Sequence, residues 1–281
     1  MEEFDFDAIL ADTPYKTLYS CIDSFPHSDL PAELTTFSRQ NPSTTTLSPL
    51  LYHCLEKSKL PPFHELLRLG VKPDEHTVYA AACNEDERFL IALLDYGWPV
   101  DHSLRRGQIS SLLCLVADRP PLFQELLKRG ASLNVISTVG DTPLSAAVQA
   151  GSVDLVRKCL EAGADPSLGD PLHDAVGRSS DEVEIIRLLC SYNAPVDTIQ
   201  FQHPSARILR HCFVRGTPLH EACRLGKIEV VKELLRQGAN PNSTRMCYSD
   251  IEPTTPIDIA REEGHGHIVA LLTSVERSVR L

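Results

Sequence analysis

Apolar residues recur at helical spacing along the second half of the chain. Val153, Val156 and Leu160 form one stripe, and Ile228, Val231, Leu234 and Leu235 form another. A shorter segment with small apolar residues precedes each stripe: Ala146 and Ala147 in one case, Ala222 in the other. The polar punctuation falls at matching places. Thr142-Pro143 and Thr217-Pro218 open the short segments, Gly151 and Gly226 divide short segment from stripe, and Gly163 and Gly238 close the stripe. Threonine suits an N-cap, where its hydroxyl accepts from an orphan amide of the first turn. Proline suits the first helical position, where the missing N–H costs nothing. Glycine tolerates the left-handed backbone past a helix end. The pattern predicts a helix, a tight turn and an antiparallel helix, used at least twice in one register.

The same punctuation predicts weaker copies. Openings at Ser48, Thr77, Ser110, Asp170 and Thr255 lead to Gly70, Gly97, Gly130, Asn193-Ala194 and Leu271-Leu272. Serine and aspartate are chemically valid N-caps, and asparagine visits the left-handed region where glycine is expected. Seven copies are counted, beginning near 48, 77, 110, 142, 170, 217 and 255. Thr217-Pro218-Leu219-His220-Glu221-Ala222 resembles the ankyrin repeat, whose signature is Thr-Pro-Leu-His-x-Ala at a period of about 33 residues. The resemblance implies an all-α ankyrin-repeat solenoid over 48–281 with short β-turn fingers, preceded by an acidic segment 1–47. Room for a finger lies between Gly130 and Thr142. The fingers before Thr77 and Asp170 look truncated, and insertions precede Thr217 and Thr255.

Charge and composition narrow the function. The net charge is −11 and the pI about 5.4, which disfavours direct nucleic-acid contact, since that relies on clustered Lys and Arg. No run approaches the roughly 20 apolar residues needed to span a bilayer, and the acidic start lacks a signal peptide's basic region. An intracellular protein, cytoplasmic or nuclear or both, is expected. Cys54, Cys83 and Cys223 share one slot, six residues after an opening, with Val148 and Val176. That slot reads as small, buried and apolar, so reduced structural thiols are expected rather than disulfides or metal ligands. Residues 1–12 alternate acidic and apolar. They read as a docking peptide, as a frayed terminus, or as part of a helical cap in which Tyr15, Leu18, Tyr19 and Ile22 cover the first repeat. Residues 38–47 read as linker.

Apparent catalytic groupings dissolve into the repeat. His265-Gly266-His267 has no third ligand at metal spacing. His220 and Cys223 hold the signature histidine and the apolar slot; in this family the histidine braces the turn by hydrogen bonding, and His173 has the same role. No phosphate-cradling loop or nucleophile elbow occurs. The expectation is a non-enzymatic, monomeric protein-interaction module or adaptor without cofactor or metal, binding another protein on its concave face. The resemblance places Gln149, Asp174, Glu221, Arg224 and Glu262 on that face, with Arg105 and Arg106 on a finger. The insertion 198–214 is basic and aromatic, so Phe201, Arg207, Arg210 and Phe213 join the candidate contacts. The alternative is a transcription coregulator, such as those of some fungal biosynthetic gene clusters, working through protein contacts rather than DNA.

Overall fold

A computed structural model describes residues 15–40, 47–200, 216–245 and 254–279. Among these residues there are fifteen α-helices, one 3-10 helix and no β-strand. The chain divides into two compact units, residues 1–99 and 100–281.

In the first unit, α1 (Lys16–Asp23) packs on α2 (Leu30–Gln40) and on α3 (Ser48–Glu56). Then α4 (Leu60–Arg68), α5 (Glu75–Cys83) and α6 (Arg88–Tyr96) follow, with α3 against α5 and α4 against α6. Leu18, Tyr19 and Ile22 of α1 and Leu30, Leu34 and Phe37 of α2 are buried. The second of these helices was not anticipated, and it extends into the segment read as linker. In the core of the unit, Phe63 and Phe89 meet edge to face at 5.0 Å.

The second unit begins with a finger and a 3-10 helix, Leu112–Leu115, followed by α7 (Pro120–Lys128). Four helix pairs follow: α8 (Pro143–Ala150) with α9 (Val153–Glu161), α10 (Pro171–Gly177) with α11 (Glu182–Ser191), α12 (Pro218–Arg224) with α13 (Ile228–Arg236), and α14 (Pro256–Glu262) with α15 (Gly266–Val279). The first helices pack side by side in the order α8, α10, α12, α14, and the second helices in the order α9, α11, α13, α15.

The helix openings are partly as read. Thr142 accepts from the Ser145 amide at 3.1 Å. Thr217 and Thr255 form capping boxes with His220 and Asp258. Four openings differ. Leu47, not Ser48, occupies the N-cap of α3; the Ser48 hydroxyl instead donates to Asp74 at 2.7 Å. Asp74, not Thr77, caps α5, accepting from the Thr77 amide at 2.8 Å. The core register of that helix therefore shifts: Ala82 is buried and Cys83 is exposed, which overturns the buried-slot reading for Cys83 while Cys54 and Cys223 keep it. Ser111, not Ser110, stands at the opening of the third repeat, whose first helix is 3-10. Asp170 occupies the N-cap position of α10, but its side chain makes no cap hydrogen bond.

The helix closings follow one design. Gly163, Asn193 and Gly238 have φ of 91°, 64° and 93°, and the next residue's amide reaches five residues back, as Ala164 to Cys159, Ala194 to Leu189 and Ala239 to Leu234. Gly151 serves differently. Its backbone is extended, with φ −85°, and a Cβ there would lie 2.6 Å from the Ala147 carbonyl oxygen. Glycine is needed at that position for close approach, not for a left-handed turn.

Candidate protein-recognition groove

Neighbouring repeats are tied by three recurrent bonds, which hold the exposed faces of the first helices in register. The signature histidines supply the first. His173 Nε2 donates to the Gly216 carbonyl at 2.9 Å, and His220 Nε2 donates to the Thr254 carbonyl at 3.3 Å. A carbonyl only accepts, so both rings carry the proton on Nε2. His220 Nδ1 then accepts from the Thr217 amide at 3.1 Å. Burial pushes the His220 pKa down to about 4, which keeps the ring neutral, as this bonding requires.

The second bond comes from the turn between the helices of a pair. Arg178 Nη1 donates to the carbonyls of Val148 and of Gly151, the latter at 3.1 Å. Lys227 Nζ donates to the carbonyls of Val176, at 2.9 Å, and Arg178, and His265 Nε2 to the Arg224 carbonyl at 3.2 Å. In the first unit, Lys59 Nζ reaches the Asp23 carbonyl at 3.2 Å. Each donor covers the exposed C-terminal carbonyls of the preceding first helix, where positive charge is favoured.

The third bond lies in the fingers. Asp101, Asn134 and Asp197 accept from the backbone amides of Ser132, Asp165 and Asn240, at 2.9, 2.9 and 3.0 Å. Ser167 occupies the matching position in the intervening finger, where the partner is Pro195, which has no N–H to give.

The row α8–α10–α12 exposes a groove. A hollow of about 370 Å³ is lined by Gln149, His173, Asp174, Arg178, Gln200 and Glu221. Beside it, a smaller hollow of about 130 Å³ includes Thr217, His220, Arg224 and Arg245. Three expected face residues, Gln149, Asp174 and Glu221, thus come together in one place. Gln149 Nε2 donates to Asp174 Oδ1 at 2.9 Å, and Arg224 forms a two-point pair with Glu221 at 2.8 and 2.5 Å. Glu262 is exposed and lies 3.8 Å from Arg245. Desolvation at this half-buried position, reinforced by Asp141 and Asp170, pushes the Asp174 pKa up to about 8.

Arg105 and Arg106 stand elsewhere, exposed at the tip of a finger closed by the antiparallel bridge Leu104–Ile109. Both have left-handed backbones, with φ of 51° and 57°. Phe201, Arg207, Arg210 and Phe213 lie outside the described residues. Gln200 and Gly216, which flank them in sequence, are joined by a bond from the Gln200 N–H to the Gly216 carbonyl at 3.2 Å. Arg178, Gln200 and Arg245 were missed. Arg178 carried no signal in the register, because it stands closer to Asp170 than Lys227 and His265 stand to Thr217 and Thr255.

The groupings that suggested chemistry are spent on structure. His220 is bonded on both ring nitrogens, and burial drives the Cys223 thiol up to about 12, far from a reactive thiolate. Among the described residues, no three His, Cys, Asp or Glu side chains stand together as a metal site, and no helix is long and apolar enough to cross a membrane.

Paired helices in register, fingers at one edge and an open polar groove define a helical-repeat protein of the kind that works by surface contact. The chain belongs to the ankyrin repeat family. Models of that family match residues 112–200, as three copies of the repeat, and residues 216–245. It is 30% identical to cyclin-dependent kinase 4 inhibitor B of Rattus norvegicus over 132 residues, 47% of this chain and 91% of that protein. It is 32% identical to the ankyrin repeat protein nuc-2 of Neurospora crassa over 157 residues, 54% of this chain and 13% of that protein. It is 30% identical to the B-cell lymphoma 3 protein homolog of Mus musculus over 167 residues, 56% of this chain and 33% of that protein. The match thus covers only a minor part of the nuc-2 protein and of the lymphoma 3 homolog.

Proposed function

We propose that the chain is a non-enzymatic recognition module that holds a partner protein on the exposed side of α8, α10, α12 and α14, acting in the cytoplasm, the nucleus or both. The observation that carries this reading is the convergence of Gln149, Asp174 and Glu221, from three consecutive repeats, on one groove. The relative matched over 91% of its length is named as the inhibitor of another protein, a cyclin-dependent kinase, in keeping with action by contact. The decisive variant is the double charge reversal Glu221→Lys with Arg224→Glu. The helical spectrum and melting cooperativity should be retained, and partners recovered with the wild-type chain from cell extract should be lost. Unchanged recovery would mean that the groove is the wrong face.

A coregulator role is a second reading, favoured by the acidic-apolar alternation of residues 1–12. Removing those residues should abolish activation of a reporter to which the chain is tethered. An unchanged reporter removes the idea.

A further inference from the structure

We infer that Ser179, in the turn between α10 and α11, is a phosphorylation site for an acid-directed protein kinase, and that its phosphate draws Arg178 off the end of α8. Neither depends on what the groove binds.

The turn is short and open to solvent. α10 ends at Gly177 and α11 begins at Glu182, which leaves Arg178-Ser179-Ser180-Asp181 between them. Ser179, Ser180 and Asp181 are exposed. The Ser179 hydroxyl makes no hydrogen bond among the described residues. Its neighbour is less available, since the Ser180 hydroxyl donates to Asp181 at 3.0 Å. In the preceding pair the matching turn holds Ser152, and that oxygen is occupied in capping α9, accepting from the Leu155 amide at 3.2 Å. α11 has no such cap. Asp181 stands at its N-cap with a left-handed backbone, φ 61°, and no side-chain cap bond. The Ser179 hydroxyl is thus free of structural duty.

The residues that follow Ser179 are acidic. Asp181, Glu182 and Glu184 come next in quick succession, and Asp181 and Glu184 are exposed. A basic peptide groove on a kinase complements that pattern, and kinases select substrates by such charge patterns. The Ser179 oxygen attacks the terminal phosphorus of a nucleoside triphosphate. An O–P bond forms, the bond from that phosphorus to the bridging oxygen of the diphosphate breaks, and the hydroxyl proton passes to the kinase's base.

Two cations meet at this turn. Arg178 Nε donates to the Ser180 carbonyl at 3.1 Å, so the guanidinium lies across the turn. Its Nη1 donates to the carbonyls of Val148 and Gly151 at the end of α8. Lys227 Nζ arrives from the next repeat and donates to the Arg178 carbonyl. A phosphoserine brings about −1.5 to −2 charges and three strong acceptor oxygens. Carbonyls compete poorly with it for Arg178, because an arginine–phosphate pair is charge-assisted and two-pronged. Asp181, Glu182 and Glu184 repel the new charge and push the phosphate towards the cations. Once Arg178 turns to it, the α8 carbonyls are uncovered and the junction between the fourth and fifth repeats weakens.

The test is incubation of the full folded chain with a purified acid-directed kinase and ATP, followed by peptide mapping by mass spectrometry. Phosphate is expected on Ser179. It should be lost in Ser179→Ala and retained in Ser180→Ala. It should form several-fold more slowly in the double variant Asp181→Asn, Glu182→Gln, which keeps a residue tolerant of the left-handed backbone and an acceptor oxygen for Lys227. Phosphate on Ser180 instead, on the unfolded chain only, or at an unchanged rate in the double variant would overturn the site. Urea unfolding reads the displacement. Phosphorylation should lower the midpoint of the wild type and leave that of Arg178→Ala, already lowered, where it was, as expected when two changes remove one contact. Arg178→Gln serves the same comparison if the alanine variant folds poorly. A wild-type midpoint that stays or rises on phosphorylation, or an equal fall in the Arg178 variants, would overturn the displacement of Arg178.

Discussion

Desolvation of the half-buried Asp174, with Asp141 and Asp170 nearby, pushes its pKa up to about 8 in the folded chain, while an unfolded aspartate releases its proton near 3.9. Between those values the native state binds more protons than the unfolded state, so stability falls as pH rises from about 4 to 8. Asp174→Asn should therefore raise the melting temperature at pH 8 and change it little at pH 4. An equal effect at both values would refute the raised pKa. His220 works in the opposite sense. With its folded pKa lowered to about 4, its contribution is complete above the unfolded value near 6.5 and fades as pH falls through 4.

The corrected cysteine is tested by labelling. Cys83 should react with a maleimide in the native chain within the time that leaves Cys54 and Cys223 unmodified, as peptide mapping would show. Its misplacement has a plain origin. In Asp74-Glu-His-Thr77 both ends are good N-cap residues, and only the geometry shows that Asp74 is the acceptor and Thr77 the donor. Where one candidate stood alone, as at Thr217, the cap was legible. Gln149, Asp174 and Glu221 were legible too, from their offsets after the caps. That they share a hollow was not, since side-chain pairing across repeats leaves no mark on periodicity.

At the scale of elements, the helices of this protein are only seven to fourteen residues long, too short to persist alone in water. Their ends therefore carry much of the argument. Lys227 serves two carbonyls of the α10 end and the Glu182 carboxylate. Lys227→Met should keep the apolar stem, strand those acceptors and cost about 1–3 kcal/mol in urea unfolding. A variant as stable as the wild type would show the contact to be incidental. Glu233 binds α13 to α11 through Arg187 at 2.9 Å, with Arg236 and Gln237 completing its shell. Those bonds hold its carboxyl near 2. Two elements escaped the sequence reading. The helix Leu30–Gln40 has its proline in the first turn, where it is tolerated, but the polar run that follows suggested a linker. The third repeat has fewer residues between Ser111 and Pro120 than the fourth has between Thr142 and Val153, and its first helix is wound as a short 3-10 turn.

For the molecule as a whole, the acidic balance of −11 and the nearest-neighbour packing set the expectations. Within residues 100–281, the first helices among the described residues pack chiefly on the first helices beside them and on their own partners, so stability should be roughly a sum of local terms. Ending the chain at residue 253 removes α14 and α15, takes the Thr254 carbonyl from His220 and uncovers α12 and α13. The shortened chain should still fold but show a lower urea midpoint and a smaller m-value, in proportion to the lost surface. Complete unfolding would show that the terms are not local. The bond from Gln200 to Gly216 has one more consequence. It joins the two residues that bracket the insertion, and the entropy of closing a loop grows only with the logarithm of its length. A fluorescent reporter or a second binding domain inserted between Gln200 and Gly216 should therefore leave the helices on either side undisturbed.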